Sequence, residues 1–197
     1  ALLQATYSGK VGPVFEELVK RFPTARHLAQ ASPAVVKEMI RPLGHLHRAE
    51  TLVRLAVALR DRHGGRVPSN ERQLLELPGV GYYTAGAVRT FAFGARAALP
   101  DTNVLRLIHR FFGLPEKGFD TRSPSRLARA SALEVLPTRG SREVNLAMLD
   151  FAAAICTFSR PKCDLCPLRQ RCVFAERTAV AASLQSNAPN RELKCST

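Results

Sequence analysis

Leu77-Pro78-Gly79-Val80-Gly81, running on into Tyr82-Tyr83-Thr84-Ala85-Gly86-Ala87-Val88, is the stretch on which the fold turns. On either side the apolar residues recur at helical spacing, so the segment reads as a hairpin between two helices. Two glycines one residue apart allow a tight reversal with positive φ and no side chain over the backbone. The helix that starts at Tyr82 then presents N–H groups beside its partly positive end, which suits a phosphate. The alternative is an ordinary helical hairpin with a glycine turn.

Working outward, nearly everything reads as helix. Residues 13–22 place Val14, Phe15, Leu18, Val19 and Phe22 on one stripe. Ser32-Pro33 opens a short helix to about Arg41. A longer one runs from about His47 to Arg62 and stops at Gly64-Gly65. Ser69 or Asn70 caps a helix ending near Leu77, and the helix from Tyr82 reaches about Phe93 before Gly94. Three more are predicted over 102–112, 124–136 and 142–156, the last after Ser141. No alternating strand pattern stands out, so the expected class is all-α. A loose boundary is predicted near 113–123, and 177–197 reads as a mobile tail.

The 197 residues carry 29 Lys and Arg against 16 Asp and Glu, a formal net charge of +13. That excess favours a polyanionic partner, nucleic acid or an anionic membrane surface. No run approaches the ~18 apolar residues of a membrane span, so no membrane role is expected. Ala1-Leu2-Leu3 lacks the charged flank of a secretory signal and reads as a start partway into a longer protein. Four cysteines, Cys156, Cys163, Cys166 and Cys172, fall within seventeen residues, and a fifth, Cys195, lies near the C-terminus. Such clustering argues for a metal or iron–sulfur site in a reducing compartment. Spacings of six, two and five residues suit one zinc or one [4Fe–4S] cluster. Zinc ribbons generally use two close pairs and only one is present, which favours the cluster. Arg160, Lys162, Arg169 and Arg171 lie within this segment, as befits a phosphate-docking element. Arg89, Arg106 and Arg110 are expected to extend that basic surface. Asp101, in Leu99-Pro100-Asp101-Thr102-Asn103, is either the cap of the next helix or a carboxylate poised for catalysis.

Hairpin, aspartate and cysteine segment in this order resemble the endonuclease III superfamily of helix-hairpin-helix DNA glycosylases. About twenty residues separate hairpin from Asp101 and fifty-five separate Asp101 from Cys156. The resemblance covers residues 1 to about 176. It implies a six-helix barrel domain over 1–100, with the hairpin at about 70–93, and a helical cluster domain over 101–176. It also implies a [4Fe–4S] cluster on Cys156, Cys163, Cys166 and Cys172. The partner implied is double-stranded DNA with a damaged or mispaired base, bound by a monomer. A cytoplasmic, nucleoid-associated setting follows for a bacterium or archaeon. The family adds an upstream helix to the cluster domain, and this sequence is expected to start after it.

The resemblance assigns Asp101 as the catalytic aspartate and Gly79, Val80 and Gly81 as the DNA-binding hairpin. Gln4 matches a position that fills the gap left by the extruded base. Leu46 or His45 takes the place of the wedge residue, the alternative for His45 and His47 being a solvated loop. Bifunctional members carry a lysine where this chain has Tyr83, and a phenol forms no Schiff base. The expected activity is therefore monofunctional, with Tyr83 lining the base pocket; otherwise Tyr83 is a core residue. Together with Gly64-Gly65-Arg66-Val67-Pro68, Tyr83 resembles the branch that removes thymine or uracil opposite guanine. A glycosylase with lyase activity on oxidised pyrimidines, an adenine glycosylase and a catalytically weak DNA-binding homologue remain open.

Overall fold

A computed structural model describes Leu2, residues 8–115 and residues 126–186, without the side chains of residues 8 and 182–186. Gln4 and Cys195 lie outside the described residues. Every secondary-structure element among those described is helical, in keeping with the expected class. The chain divides into two compact units, Ala1–Leu99 and Pro100–Thr197. The division falls at Leu99, not at the glycine- and proline-interrupted stretch after residue 113.

The first unit contains α1 (Ser8–Arg21), α2 (Ala25–Leu28), α3 (Pro33–Ile40), α4 (Arg48–His63), α5 (Glu71–Leu75) and α6 (Tyr82–Phe93). Its helices begin where short polar side chains satisfy the first backbone donors. Thr24, Ser32 and Asn70 each accept an N–H from their own helix. Gly64 and Gly94 end α4 and α6 in the left-handed conformation. α1 starts five residues before the predicted position and keeps Pro13 inside it. The carbonyl of exposed Gly9, which Pro13 cannot serve, is open to water, and this softens the usual cost of an interior proline. Val11, Val14 and Leu18 form its buried stripe, while Phe15 and Val19 face solvent, narrower than the sequence suggests. This stripe joins Val36, Met39, Ile40, Ala49 and Leu52 in one core cluster. A second cluster gathers Ala58, Leu59, Leu74, Leu77 and Ala85 beneath the hairpin.

The second unit is built around α7 (Thr102–Phe112), which packs on α8 (Arg126–Glu134), α9 (Ser141–Ala154) and α10 (Val173–Ser186). Val104, Leu105, Leu107 and Ile108 are buried, so α7 is the unit's central post. Gly140, left-handed at φ +75, is the residue before α9, one position ahead of the predicted Ser141. α10 corrects the expected tail: helix continues to Ser186, well past residue 177. Its alanines favour helix intrinsically and need no apolar stripe to do so, which is why a periodicity argument misses it. Residues 187–197 lie outside the description.

Candidate functional site

The hairpin is fixed by its backbone. After α5, the Leu77 N–H donates to Leu74 O at 3.1 Å and the Val80 N–H to Leu77 O at 3.2 Å. Leu77 itself is buried in the second core cluster and pins the turn to the unit. Gly79 sits at φ +74, and a Cβ there would lie 2.5 Å from Thr51 Cγ2 on α4. Conformation and space both demand glycine at that position. Gly81 is the N-cap of α6 in extended conformation and brings no capping side chain. The positive end of α6 therefore begins at a residue with nothing projecting over it. Tyr83 follows in the first turn, 38% exposed. It is not a core tyrosine.

At its far end α6 holds the chain that leads to Asp101. A Cβ on Gly86 would lie 2.1 Å from the carbonyl oxygen of Ala98. Buried Thr90 donates its hydroxyl to Ala97 O at 3.0 Å. Leu99 is fully buried, so the segment reaching Pro100 is tied down. In the loop before α4, His45 is exposed with φ +53, the one non-glycine residue with positive φ among those described. Leu46 beside it is half-buried against the first core cluster.

In the second unit, Asp101 is the N-cap of α7, its Oδ1 accepting the Val104 N–H at 2.6 Å. Oδ2 accepts the Asn103 side-chain amide at 3.2 Å. The cap reading is realised, and it leaves the carboxylate half-buried, with defined partners. Asn103 in turn accepts Arg106 Nη1 at 3.0 Å. The sequence puts Asn103 in the Asp101 motif and Arg106 on the basic surface, and in neither case as a partner of the carboxylate. The available signal was a lone arginine inside the apolar run Val104-Leu105-Arg106-Leu107-Ile108, since a buried guanidinium must find acceptors.

Cys156, Cys163, Cys166 and Cys172 line one cavity, walled by Leu107, Phe111, Phe151, Ile155 and Phe174. None of the four is in a disulfide. Two 3-10 turns, Cys163–Leu165 and Arg169–Arg171, carry the chain around it. Burial, then the neighbouring Cys172, Cys156 and Cys166, push the Cys163 thiol up, while Arg110 opposes them. Four thiolates facing one apolar space repel each other unless a cationic centre joins them, so the donor set fits a thiolate-bound metal group. Among the described residues no three His, Cys, Asp or Glu side chains converge as for a single ion. The cysteines surround a volume and do not meet at a point.

Arg106 and Arg110 correct the charge reading. Arg106 is buried and donates to Cys156 O at 2.8 Å and Ala152 O at 2.7 Å. Arg110 donates to Thr157 O at 2.6 Å and Phe158 O at 2.8 Å, and its guanidinium lies 4.7 Å from the Phe174 ring centre. Both straps serve the cysteine loop. Arg89 pairs with Glu71 at 2.7 Å and is likewise structural. Arg160, Lys162, Arg169 and Arg171 are exposed as expected, although Arg169 also meets Asp164 at 2.8 Å.

A model of the HhH-GPD superfamily of base excision DNA repair proteins matches residues 1–134. The chain belongs to that superfamily. This HhH-GPD protein is 38% identical over 175 residues to a thymine-DNA glycosylase of Aeropyrum pernix, covering 88% of this chain and 78% of the relative. It is 33% identical over 177 residues to a thymine/uracil-DNA glycosylase of Methanothermobacter thermautotrophicus, covering 89% and 79%. Among solved structures, that of a thermostable thymine-DNA glycosylase superposes with a TM-score of 0.78 at 32% identity, covering 89% of this chain and 81% of that one. The expectation of an endonuclease III-type repair glycosylase agrees with these findings. No helix among the described residues is long and apolar enough to cross a membrane.

Proposed function

We propose that this repair glycosylase is monofunctional and removes thymine or uracil opposite guanine from duplex DNA, acting as a monomer. The observation that carries this reading is Tyr83, exposed on the first turn of α6 just after the glycine turn. It stands where a lyase of the resembling family has its amine, and a phenol forms no imine with C1′. The similarity to thymine and thymine/uracil glycosylases supports the choice of base.

Bond cleavage follows from the groups present. The base leaves C1′ with the bonding electron pair, and C1′ acquires oxocarbenium character. The Asp101 carboxylate stabilises that charge and takes a proton from the water that adds to C1′. That proton passes on to the departed base, which restores the carboxylate and leaves the free base and an abasic sugar, with the strand intact. Gly79, Val80 and Gly81 seat a backbone phosphate, and Tyr83 contacts the extruded base. His45, exposed at the loop tip, fills the wedge role better than Leu46, which packs on the core. Gln4 enters the vacated stack. Unstacking costs a few kcal/mol, less at a mismatch, which adds selectivity.

Cys156, Cys163, Cys166 and Cys172 would hold a [4Fe–4S] cluster. When bound, it supplies a thiolate cross-link for the loop, and no step of base release runs through it. The test is base release from duplexes carrying T·G, U·G, oxidised pyrimidine or adenine opposite oxidised guanine, with and without hot alkali. Expected are strand breaks at T·G and U·G only after alkali, and none with Asp101→Asn, whose duplex affinity stays within a few-fold. Strand breaks without alkali refute the monofunctional reading. Release surviving Asp101→Asn removes that residue from catalysis.

A further inference from the structure

A groove of 660 Å³ follows one face of α7 from Thr102 to Gly113, and every residue lining it belongs to the second unit. Its other walls are Phe158 of the cysteine loop and Phe174 and Arg177 of α10. Among the described residues no carboxylate lines it. α10 runs antiparallel to α7: a Cβ on Gly113 would lie 2.6 Å from Val173, and the Phe174 ring lies 4.7 Å from the Arg110 guanidinium. Arg177, a turn beyond Phe174, therefore stands beside the first half of α7, roughly 7–8 Å along the axis from Asp101. Arg106 and Arg110 direct N–H groups at carbonyls of residues 152 and 156–158. Arg177 is the exposed guanidinium of the lining.

Phe158 is 79% exposed, more than any other large apolar side chain among those described. Its backbone is nonetheless fixed. Arg110 donates to the carbonyls of Thr157 and Phe158 at 2.6 and 2.8 Å, and the Thr157 hydroxyl donates to Arg160 O at 2.6 Å. A ring presented on a fixed tip loses little freedom when it is covered. A guanidinium fork takes phosphate oxygens, and an aromatic face covers the apolar side of a deoxyribose. The groove opens at Thr102, the residue after Asp101, so a strand with its C1′ at Asp101 brings neighbouring phosphates to it. An acidic protein segment would match the charge but has no reason to begin at that end. We infer that the groove seats the DNA backbone next to the extruded nucleotide, with a phosphate on Arg177 and its sugar against Phe158. The axial distance from Asp101 puts that phosphate within about three nucleotides of the lesion. The inference rests on the proposed placement of the lesion at Asp101.

The test measures duplex Kd by anisotropy for wild type, Arg177→Gln and Phe158→Ala. The duplex carries 2′-fluorothymidine opposite guanine, whose fluorine disfavours the oxocarbenium sugar and keeps the base in place. Each phosphate near that thymidine is replaced in turn by an uncharged methylphosphonate. Arg177→Gln is expected to weaken binding about 3- to 10-fold and to flatten the slope of log affinity against log salt by about 0.9. Neutralising one phosphate costs wild type the same factor and costs Arg177→Gln nothing further, as a shared contact requires. Phe158→Ala is expected to lose about 3- to 10-fold with an unchanged slope, because its contact is apolar. Urea midpoints, iron per protein and single-turnover release from saturating T·G duplex stay at wild type, since neither residue touches the reacting atoms. Wild-type Kd in either variant overturns the inference, as does an Arg177→Gln protein that keeps its full response to every methylphosphonate. Release that survives Asp101→Asn refutes the role of Asp101, and the affinity tests of Arg177 and Phe158 are scored apart from it.

Discussion

His45 holds a left-handed conformation, φ +53, on an exposed loop tip beside Gly44. A side chain there costs roughly 1–2 kcal/mol relative to the right-handed region. Strain of this kind at a surface position calls for a functional account. His45→Gly tests it. Relief of strain exceeds the added chain entropy of glycine, about 0.5–1 kcal/mol, so the urea midpoint is expected at or slightly above wild type. Base release from the mismatch is expected to fall about tenfold or more, because the ring proposed to enter the stack is gone. Unchanged release would assign the wedge elsewhere. At this scale the sequence was unevenly legible. Asp101 before Thr102 announces a cap, because short acceptors at helix starts have a local cause. The carbonyl partners of Arg106 lie about fifty residues away in the chain, and no local pattern encodes them.

Among the elements, α6 does the most positioning. It starts at the glycine turn, carries Tyr83, and presses on the residue 97–99 segment through Gly86. Gly86→Ala would place a Cβ 2.1 Å from a backbone oxygen, which cannot rotate away as a side chain can. Separation of α6 from that segment is expected to cost about 1–3 kcal/mol, read as a lower urea midpoint. An Ala variant at Gly12, inside α1 where a Cβ meets nothing within 4 Å, is the control and should unfold no earlier than wild type. α6 and α7 match their expected bounds because glycines close both and amphipathic runs fill them. α2 escapes a periodicity reading because four residues are too few to repeat, and α10 because alanine needs no stripe. The hairpin was legible as a turn, but the contact of Gly79 with Thr51 was not, since it joins distant residues.

On the scale of the whole molecule the formal +13 overstates the charge available to DNA. Arg48 and Arg106 are buried, donating to carbonyls of Leu2, Ala152 and Cys156, and Arg110 is spent on Thr157 and Phe158. The pairs of Arg41, Arg60, Arg72 and Arg89 with Glu38, Asp61, Glu76 and Glu71 are already netted in that figure. What faces outward on the cysteine loop is Arg160, Lys162, Arg169 and Arg171. Each phosphate neutralised steepens the plot of log affinity against log salt by about 0.9. Arg160→Gln and Lys162→Gln are therefore expected to flatten that slope by about 1 each, with unfolding and iron content unchanged. Arg110→Gln should do the reverse: its slope stays as in wild type, while iron per protein falls because the loop carbonyls lose their strap. Anisotropy of a labelled duplex from about 50 to 200 mM salt, with iron assayed on the same preparations, separates the two classes. Equal slopes for all four proteins would mean that the cysteine loop does not face DNA, and that its arginines serve the fold alone.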